Sequence, residues 1–195
     1  LLRGALALLP GFAASGPVLA CAAVCSLAAM NLLTPPSVSL EGRTLWLVQS
    51  LPVSPWQALR AKLDLHMALT APPALLAAVC LLGAVGSGPL AAALVLAAVW
   101  LYTLLAGALG LVLGVKLPNL HWTSETAAVK QGVAPVTALF ANWAALTLLC
   151  GLWWLAQPLL GGLGALGLCC VCLAAGCAGA LGFLRRGGSR AFARL

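Results

Sequence analysis

Charged residues are scarce in this chain, and acidic residues are the scarcest. Of the 195 residues, 7% are charged, and the three acids are Glu41, Asp64 and Glu125. An ordinary soluble domain carries about 25% charged residues. Because 63% of the residues are hydrophobic, a soluble fold of this length could not cover the apolar surface. The composition therefore predicts an integral membrane protein.

The chain also lacks the motifs of catalysis and of ion coupling. A phosphate-binding loop needs the pattern G-x-x-x-x-G-K-[ST], and the nearest candidate, Gly110 to Lys116, lacks that spacing. There is no Ser/His/Asp set or carboxylate pair suited to catalysis. No apolar run holds a central charged residue, as ion-coupled carriers usually do. We expect neither an enzyme nor a nucleotide-binding subunit.

Cysteine is plentiful, but its pattern excludes a metal site and a disulfide framework. No CxxC pair stands beside a matching pair or a histidine, as a zinc site requires. In apolar runs cysteine acts as a small apolar residue. The eight cysteines all lie in such runs: Cys21, Cys25, Cys80, Cys150, Cys169, Cys170, Cys172 and Cys177.

Long apolar runs dominate the rest of the chain and predict an all-α, polytopic transmembrane helix bundle. A membrane-spanning helix needs about 20 apolar residues. Residues 1–10 read as the stub of a sixth, upstream span, so we expect a single transmembrane domain over 1–195 that lacks its N-terminal part. The five predicted spans are 11–33, 65–85, 89–115, 133–157 and 163–184.

Basic and neutral connections alternate along the chain. The loops 41–62 and 116–132 and the tail 185–195 carry Lys and Arg, whereas the connections 86–88 and 158–162 carry no charge. By the positive-inside rule, the basic loops and the tail are cytoplasmic. The net charge of +7 therefore reflects orientation in the bilayer, and we expect no nucleic acid partner.

The loop 41–62 is the most polar stretch of its length. Wound as a helix, residues 40–51 would be amphipathic and too short to span, which predicts a helix in the plane of the membrane. Pro52 ends this helix, and Ser54 and Gln57 form a capping box for a second helix that starts at Pro55. Two interpretations remain: an interfacial tether with Trp46 among the lipid headgroups, or a docking surface for a cytoplasmic partner.

Three segments resemble the permeases of bacterial type-2 ATP-binding-cassette exporters. The resemblance covers about residues 17–195, and Gln49 departs from it because a basic residue is expected there. The three segments are Glu41-Gly42-Arg43-x-Leu45-Trp46 … Ser50-Leu51-Pro52-Val53-Ser54 … Lys62, then Pro118-Asn119-Leu120-His121-Trp122-Thr123-Ser124-Glu125 … Val129-Lys130-Gln131, and the tail Gly188-Ser189-Arg190-Ala191-Phe192-Ala193-Arg194-Leu195.

The resemblance implies the C-terminal half of a multi-pass permease subunit in the bacterial cytoplasmic membrane, with its C-terminus cytoplasmic. Its partners would be a separate ATPase subunit, which binds ATP and Mg, and a second permease half or copy. This chain itself would hold no cofactor. The in-plane helix would be the coupling helix, a partner-binding segment with the residues Glu41, Gly42, Arg43, Leu45, Trp46, Pro52, Ser54 and Lys62.

Seven of these eight residues have a role implied by the resemblance. Leu45 and Trp46 would pack into a groove of the ATPase. Glu41 and Arg43 would fix the register of that contact. The elbow angle would be set by Pro52 and Ser54, and Lys62 would anchor the next span at the lipid surface.

The second basic loop contributes the candidates Asn119, Trp122, Glu125 and Lys130. They could contact the ATPase, brace the first loop or form a solvated turn. His121 and Glu125 have a spacing that could hold a metal, but there is no third ligand in either basic loop, so we predict no metal site.

Two other functions remain open. A membrane anchor could dock a cytoplasmic partner through the same helix without moving solute. A membrane-embedded enzyme acting on lipid would need Asp64, His66 and His121, which lack convergent partners. Scattered polar residues could line a substrate path or bond between helices: Asn31, Thr70, Tyr102, Thr103, Thr137, Asn142 and Thr147.

Overall fold

The computed structural model describes residues 12–42, 47, 50, 52–119 and 132–193, and within them every regular element is helical. This confirms the all-α class. A π-helical turn, Leu184–Gly188, precedes the last short helix. The helices are α1 (Phe12–Ala29), α2 (Pro35–Ser39), α3 (Pro55–Val85), α4 (Pro89–Lys116), α5 (Val133–Phe183) and α6 (Ser189–Phe192).

Three helical stretches are long and apolar enough to cross a membrane: Pro55–Val85, Pro89–Lys116 and Val133–Phe192. They support the prediction of a membrane protein. Within the described residues, the apolar part of α1, Ser15–Ala29, is shorter than these three. The predicted first span extends further, to residue 33, but α1 ends earlier because Met30 and Asn31 donate to carbonyls three residues back and tighten the last turn.

The longest helix, α5, folds back on itself. The Cys169 thiol lies 3.6 Å from the Leu149 carbonyl oxygen, and the Trp153 indole donates to the Gly162 carbonyl at 3.3 Å. In a straight helix, residues 149 and 169 would be about 30 Å apart. The reversal occurs at Gly161, where φ is 71° and ψ is 166°, a conformation that is essentially restricted to glycine. Residues 133–160 and 162–183 are therefore two arms.

Helix α4 lies at the centre of the molecule. In its most apolar stretch, 61% of the residues are buried, against 22% for α3 and for the stretch that contains α5. Cys170 and Cys177 donate to the carbonyls of Leu94 and Leu101, a constant offset that places the second arm of α5 parallel to α4. Helix α3 is antiparallel to α4, to which it is joined by a tight turn.

The molecule has a basic end and a neutral end. The connections Gly86–Gly88 and Gly162 line a common cavity with Pro17 at the neutral end. At the opposite end, the Lys116 ammonium lies 4.8 Å from the centre of the Phe183 ring. The start of α3, with Arg60 and Lys62, and the turn with Arg185 and Arg186 lie at this basic end as well.

All eight cysteines are free. Their surroundings agree with the expectation that they serve as small apolar residues. Four of them line an apolar cavity of about 50 Å³ beside Tyr102 and Trp153: Cys21, Cys25, Cys150 and Cys169.

Candidate functional site

Lys62 joins two parts of the basic end. Its ammonium donates to a Glu41 carboxylate oxygen at 2.6 Å and to the Ser37 carbonyl at 3.0 Å. The two charged side chains are only 15% and 24% exposed. Such charge-assisted bonds are shorter and stronger than neutral ones. The segment after α2 is therefore held against the second turn of α3.

A second bond brings the loop after α4 to the same place. The Asn119 backbone N–H donates to the Ser39 hydroxyl at 3.1 Å, and Ser39 is buried. Ser39 precedes Glu41 by two residues. Asn119 and Glu41, predicted in different loops, therefore belong to one cluster of contacts. We call Ser37, Ser39, Glu41, Lys62 and Asn119 the basic-end junction.

The predicted capping box is present at the start of α3. Ser54 accepts a hydrogen bond from the Gln57 N–H at 3.3 Å, and the Gln57 side-chain oxygen accepts one from the Ser54 N–H at 2.7 Å. Pro55 occupies the first helical turn. The capping box and the helix start at Pro55 are thus confirmed, and Pro52 and Ser54 stand exposed beside them.

Glycines of α4 bring the segment of Thr34 and Pro35 close to the central helix. A Cβ atom at Gly110 would overlap the Thr34 hydroxyl, and one at Gly114 would lie 2.6 Å from the Pro35 carbonyl oxygen. The small-xxx-small pair Gly110-x-x-x-Gly114 is therefore a contact surface, as close approach between helices requires. It places α2, and with it the basic-end junction, against α4.

The tail also packs onto this end. Phe192 of α6 is 2% exposed and belongs to a buried cluster with Leu59, Leu184 and Val38. Nothing in the predictions placed this side chain in contact with α3. The one aromatic residue of a tail that is otherwise mostly basic and small was the available signal.

Polar side chains inside the helices bond to their neighbours. The Asn31 amide donates to the Thr70 hydroxyl at 2.6 Å, and the Tyr102 hydroxyl donates to the Asn142 carbonyl at 2.9 Å. Thr103, like Thr137 and Thr147, donates to a carbonyl of its own helix. These bonds favour a structural use of the polar residues over a shared substrate path.

The candidates for chemistry on lipid do not converge. Asp64 lies exposed, 3.6 Å from Arg60, whereas His66 is buried with its Nε2 atom 3.3 Å from the Thr103 carbonyl oxygen. Two positions apart on a helix, they point in different directions. In the described part of the chain, no three metal-binding side chains come together.

Several predicted site residues lie outside the described residues: Arg43, Leu45, Trp46, Trp122, Glu125 and Lys130, with His121. The in-plane helix 40–51 falls mostly there too. Within that helix, Gly42 is described and donates its N–H to the Ser39 carbonyl at 3.1 Å. The described site residues are therefore Glu41 and Gly42 at the start of the predicted helix, with Pro52, Ser54, Lys62 and Asn119 outside it.

Comparison with protein-family models, with curated proteins and with solved structures gives no match.

Proposed function

We propose that this chain is a permease subunit of an ATP-driven exporter of the type-2 ATP-binding-cassette class, with ATP hydrolysed by a separate subunit. The observation that carries the proposal is the basic-end junction. It holds Glu41, the first residue of the resembling segment, against Lys62, the last one. The start of the proposed coupling helix is thereby held against α3.

A fixed attachment of this kind suits mechanical coupling. A partner that moves the coupling helix displaces α3 only if the connection between them is stiff. The ion pair, the Ser37 carbonyl and the capping box at Ser54 supply that stiffness. The five apolar segments of α1, α3, α4 and the two arms of α5 then cross the bilayer, with the basic end cytoplasmic.

The alternative is a membrane anchor that docks the same kind of partner without moving solute. The internal bonding of Asn31, Tyr102 and Thr103 favours this alternative, because it leaves these polar groups committed to helix contacts. Recovery of an ATPase subunit and ATP-dependent transport separate the two functions.

The first test is affinity purification of the full-length protein from gently solubilised membranes, with the partners identified by mass spectrometry. The variant Trp46→Ala removes a proposed packing anchor. Trp154→Ala is the matched control, because Trp154 is 69% exposed in the first arm of α5. We expect an ATP-binding-cassette ATPase with the native protein and with Trp154→Ala, and its loss with Trp46→Ala.

Absence of any such ATPase under conditions that preserve membrane complexes would contradict the proposal. Glu41→Lys is unsuitable as a docking variant, because it places two ammonium groups together in the basic-end junction. The double exchange Glu41→Lys with Lys62→Glu restores the pair and is expected to retain the ATPase. Its loss would show that Glu41 contacts the partner directly.

A further inference from the structure

A groove of about 400 Å³ runs between α3 and the second arm of α5, beside α4. It lies at the basic end, away from the basic-end junction. Residues one and two turns apart on α3 line one wall, and Leu181, Gly182 and Arg185 line the other. Charged and apolar side chains both line the groove.

The two arginines of the groove lie toward the basic end. Arg60 stands near the start of α3, and Arg185 follows Leu181 by one helical turn toward the basic end. Asp64 lines the groove as well, so the net charge is +1. The Arg60–Asp64 pair is long, at 3.6 Å, with both side chains about two-thirds exposed. Such a pair is weak, and Arg60 retains donors for another anion.

Apart from Asp64, which follows Leu63 on α3, the deeper part of the groove is apolar. Leu63, Leu104 and Leu181 line it, and they lie further from the basic end than the two arginines. A Cβ atom added at Gly182 would find no atom within 4 Å, so the missing side chain leaves space open along this wall. Trp56, one turn before Arg60, also faces the groove, and tryptophan is favoured at the level of lipid headgroups.

We propose that this groove binds one anionic phospholipid, with its phosphate between Arg60 and Arg185 and one acyl chain along Leu104 and Leu181. Basic pockets between transmembrane helices on the cytoplasmic side suit such headgroups. The net charge of the groove balances one phosphate. Because the leucines offer apolar surface to an acyl chain, a lipid fits the groove better than a free anion does. The inference needs membrane insertion and not the exporter function.

The test counts lipids retained by the purified full-length protein in native mass spectrometry, with phosphatidylglycerol and phosphatidylcholine of identical chains as probes. Arg60→Gln with Arg185→Gln removes both guanidinium groups. Arg186→Gln with Arg190→Gln is the matched control, because these exposed arginines lie at the same end outside the groove. A basic residue near the surface changes lipid affinity about fivefold. We expect a loss of about 25-fold for the first pair.

A second pair of variants tests the acyl chain without changing charge. Gly182→Leu fills the groove, and Gly179→Leu adds the same side chain in open space outside it. We expect phosphatidylglycerol binding to fall about tenfold for Gly182→Leu, since each displaced methylene weakens binding several-fold. Gly179→Leu should bind like the native protein.

Three results would overturn the proposal. Equal retention of the two lipids would show that the headgroup charge is not recognised. An equal loss in the Arg186/Arg190 variant would show a general effect of surface charge. Displacement of phosphatidylglycerol by millimolar inorganic phosphate, together with normal binding in Gly182→Leu, would identify a site for free anions. None of these results affects recovery of an ATPase.

Discussion

The neutral end of the molecule joins neighbouring helices, whereas the basic end joins segments that are far apart in the chain. At the neutral end, α3 passes to α4 through Gly86, in the left-handed conformation, and Gly88. The two arms of α5 meet at Gly161. At the basic end, Lys62 reaches Glu41 and Ser37, and Asn119 reaches Ser39. At the basic end, polar side chains hold together segments that are distant in the sequence.

The difference follows from the length of the connections. A turn of three residues or fewer fixes the relative position of two helices by its own backbone, with glycine supplying the unusual angles. The segments 30–54 and 117–132 are longer and do not fix their ends in this way. Side-chain bonds such as Lys62–Glu41 and Ser39–Asn119 help to hold these segments in place. The proposed cytoplasmic partner would act on this end of the molecule.

The largest expected effect is on the contact that places the basic-end junction against α4. In Gly110→Ala, the added Cβ overlaps the Thr34 hydroxyl and lies about 3.0 Å from Pro35. We expect a loss of about 3 kcal/mol in stability from overpacking, measured by thermal unfolding in detergent. Gly179→Ala, with no atom within 4 Å, is the matched control and should be unchanged or slightly stabilised. Equal unfolding temperatures for both variants would contradict the close approach of Thr34.

Phe192→Ala tests whether the tail belongs to the basic end. Phe192 is 2% exposed, and its removal leaves a cavity against Leu59 and Leu184. We expect the free energy of unfolding to fall by about 2–3 kcal/mol. This is near the lower limit for truncation of a buried phenylalanine, because the site lies at the edge of the fold. Phe140→Ala, at a side chain that is 69% exposed, should cost less than about 0.5 kcal/mol. Similar small losses for both would show that the tail is not docked.

A double-mutant cycle compares two ion pairs on the same helix. Glu41→Ala and Lys62→Ala, singly and together, should give a coupling energy of about 1–2 kcal/mol, because the pair is largely shielded from water. The cycle of Arg60→Ala and Asp64→Ala should give less than about 0.5 kcal/mol, since both side chains are exposed. Raising the salt concentration should weaken only the second coupling appreciably. A reversed order would show that Lys62 is not held by Glu41.

Local patterns were enough to predict part of this structure. Ser54, Pro55 and Gln57 lie within four residues, so their capping box follows from short-range geometry and is found as expected. The apolar runs likewise predict the helices and their membrane character. Gly110 and Gly114 form a recognisable pair, although their spacing alone could not separate a contact surface from a bias in composition.

The contacts of the basic-end junction could not be predicted in the same way. Lys62 and Glu41 are 21 residues apart, and Asn119 and Ser39 are 80 apart. The resemblance implied a register role for Glu41 and a lipid-anchoring role for Lys62, and no local pattern links the two side chains. The sites on 43–46 and 120–131 lie outside the described residues, so the docking roles of Trp46 and Trp122 stay predictions.

The smallest expected effect sharpens the contrast between the helix starts at the two ends. At the basic end, Ser54→Ala removes the cap of α3 and should cost about 1 kcal/mol. At the neutral end, α4 begins at Gly88, which has no side-chain cap and has open space around its Cβ position. Its φ of −66° and ψ of 159° suit serine, so Gly88→Ser should stabilise by a few tenths of a kcal/mol, measured by the same thermal unfolding. Ser87→Ala, one position earlier, is the control for the loss of a hydroxyl. Gly88→Ser could instead destabilise the protein as much as Ser54→Ala does. That result would show that the start of α4 needs glycine at position 88 and gains nothing from a side-chain cap.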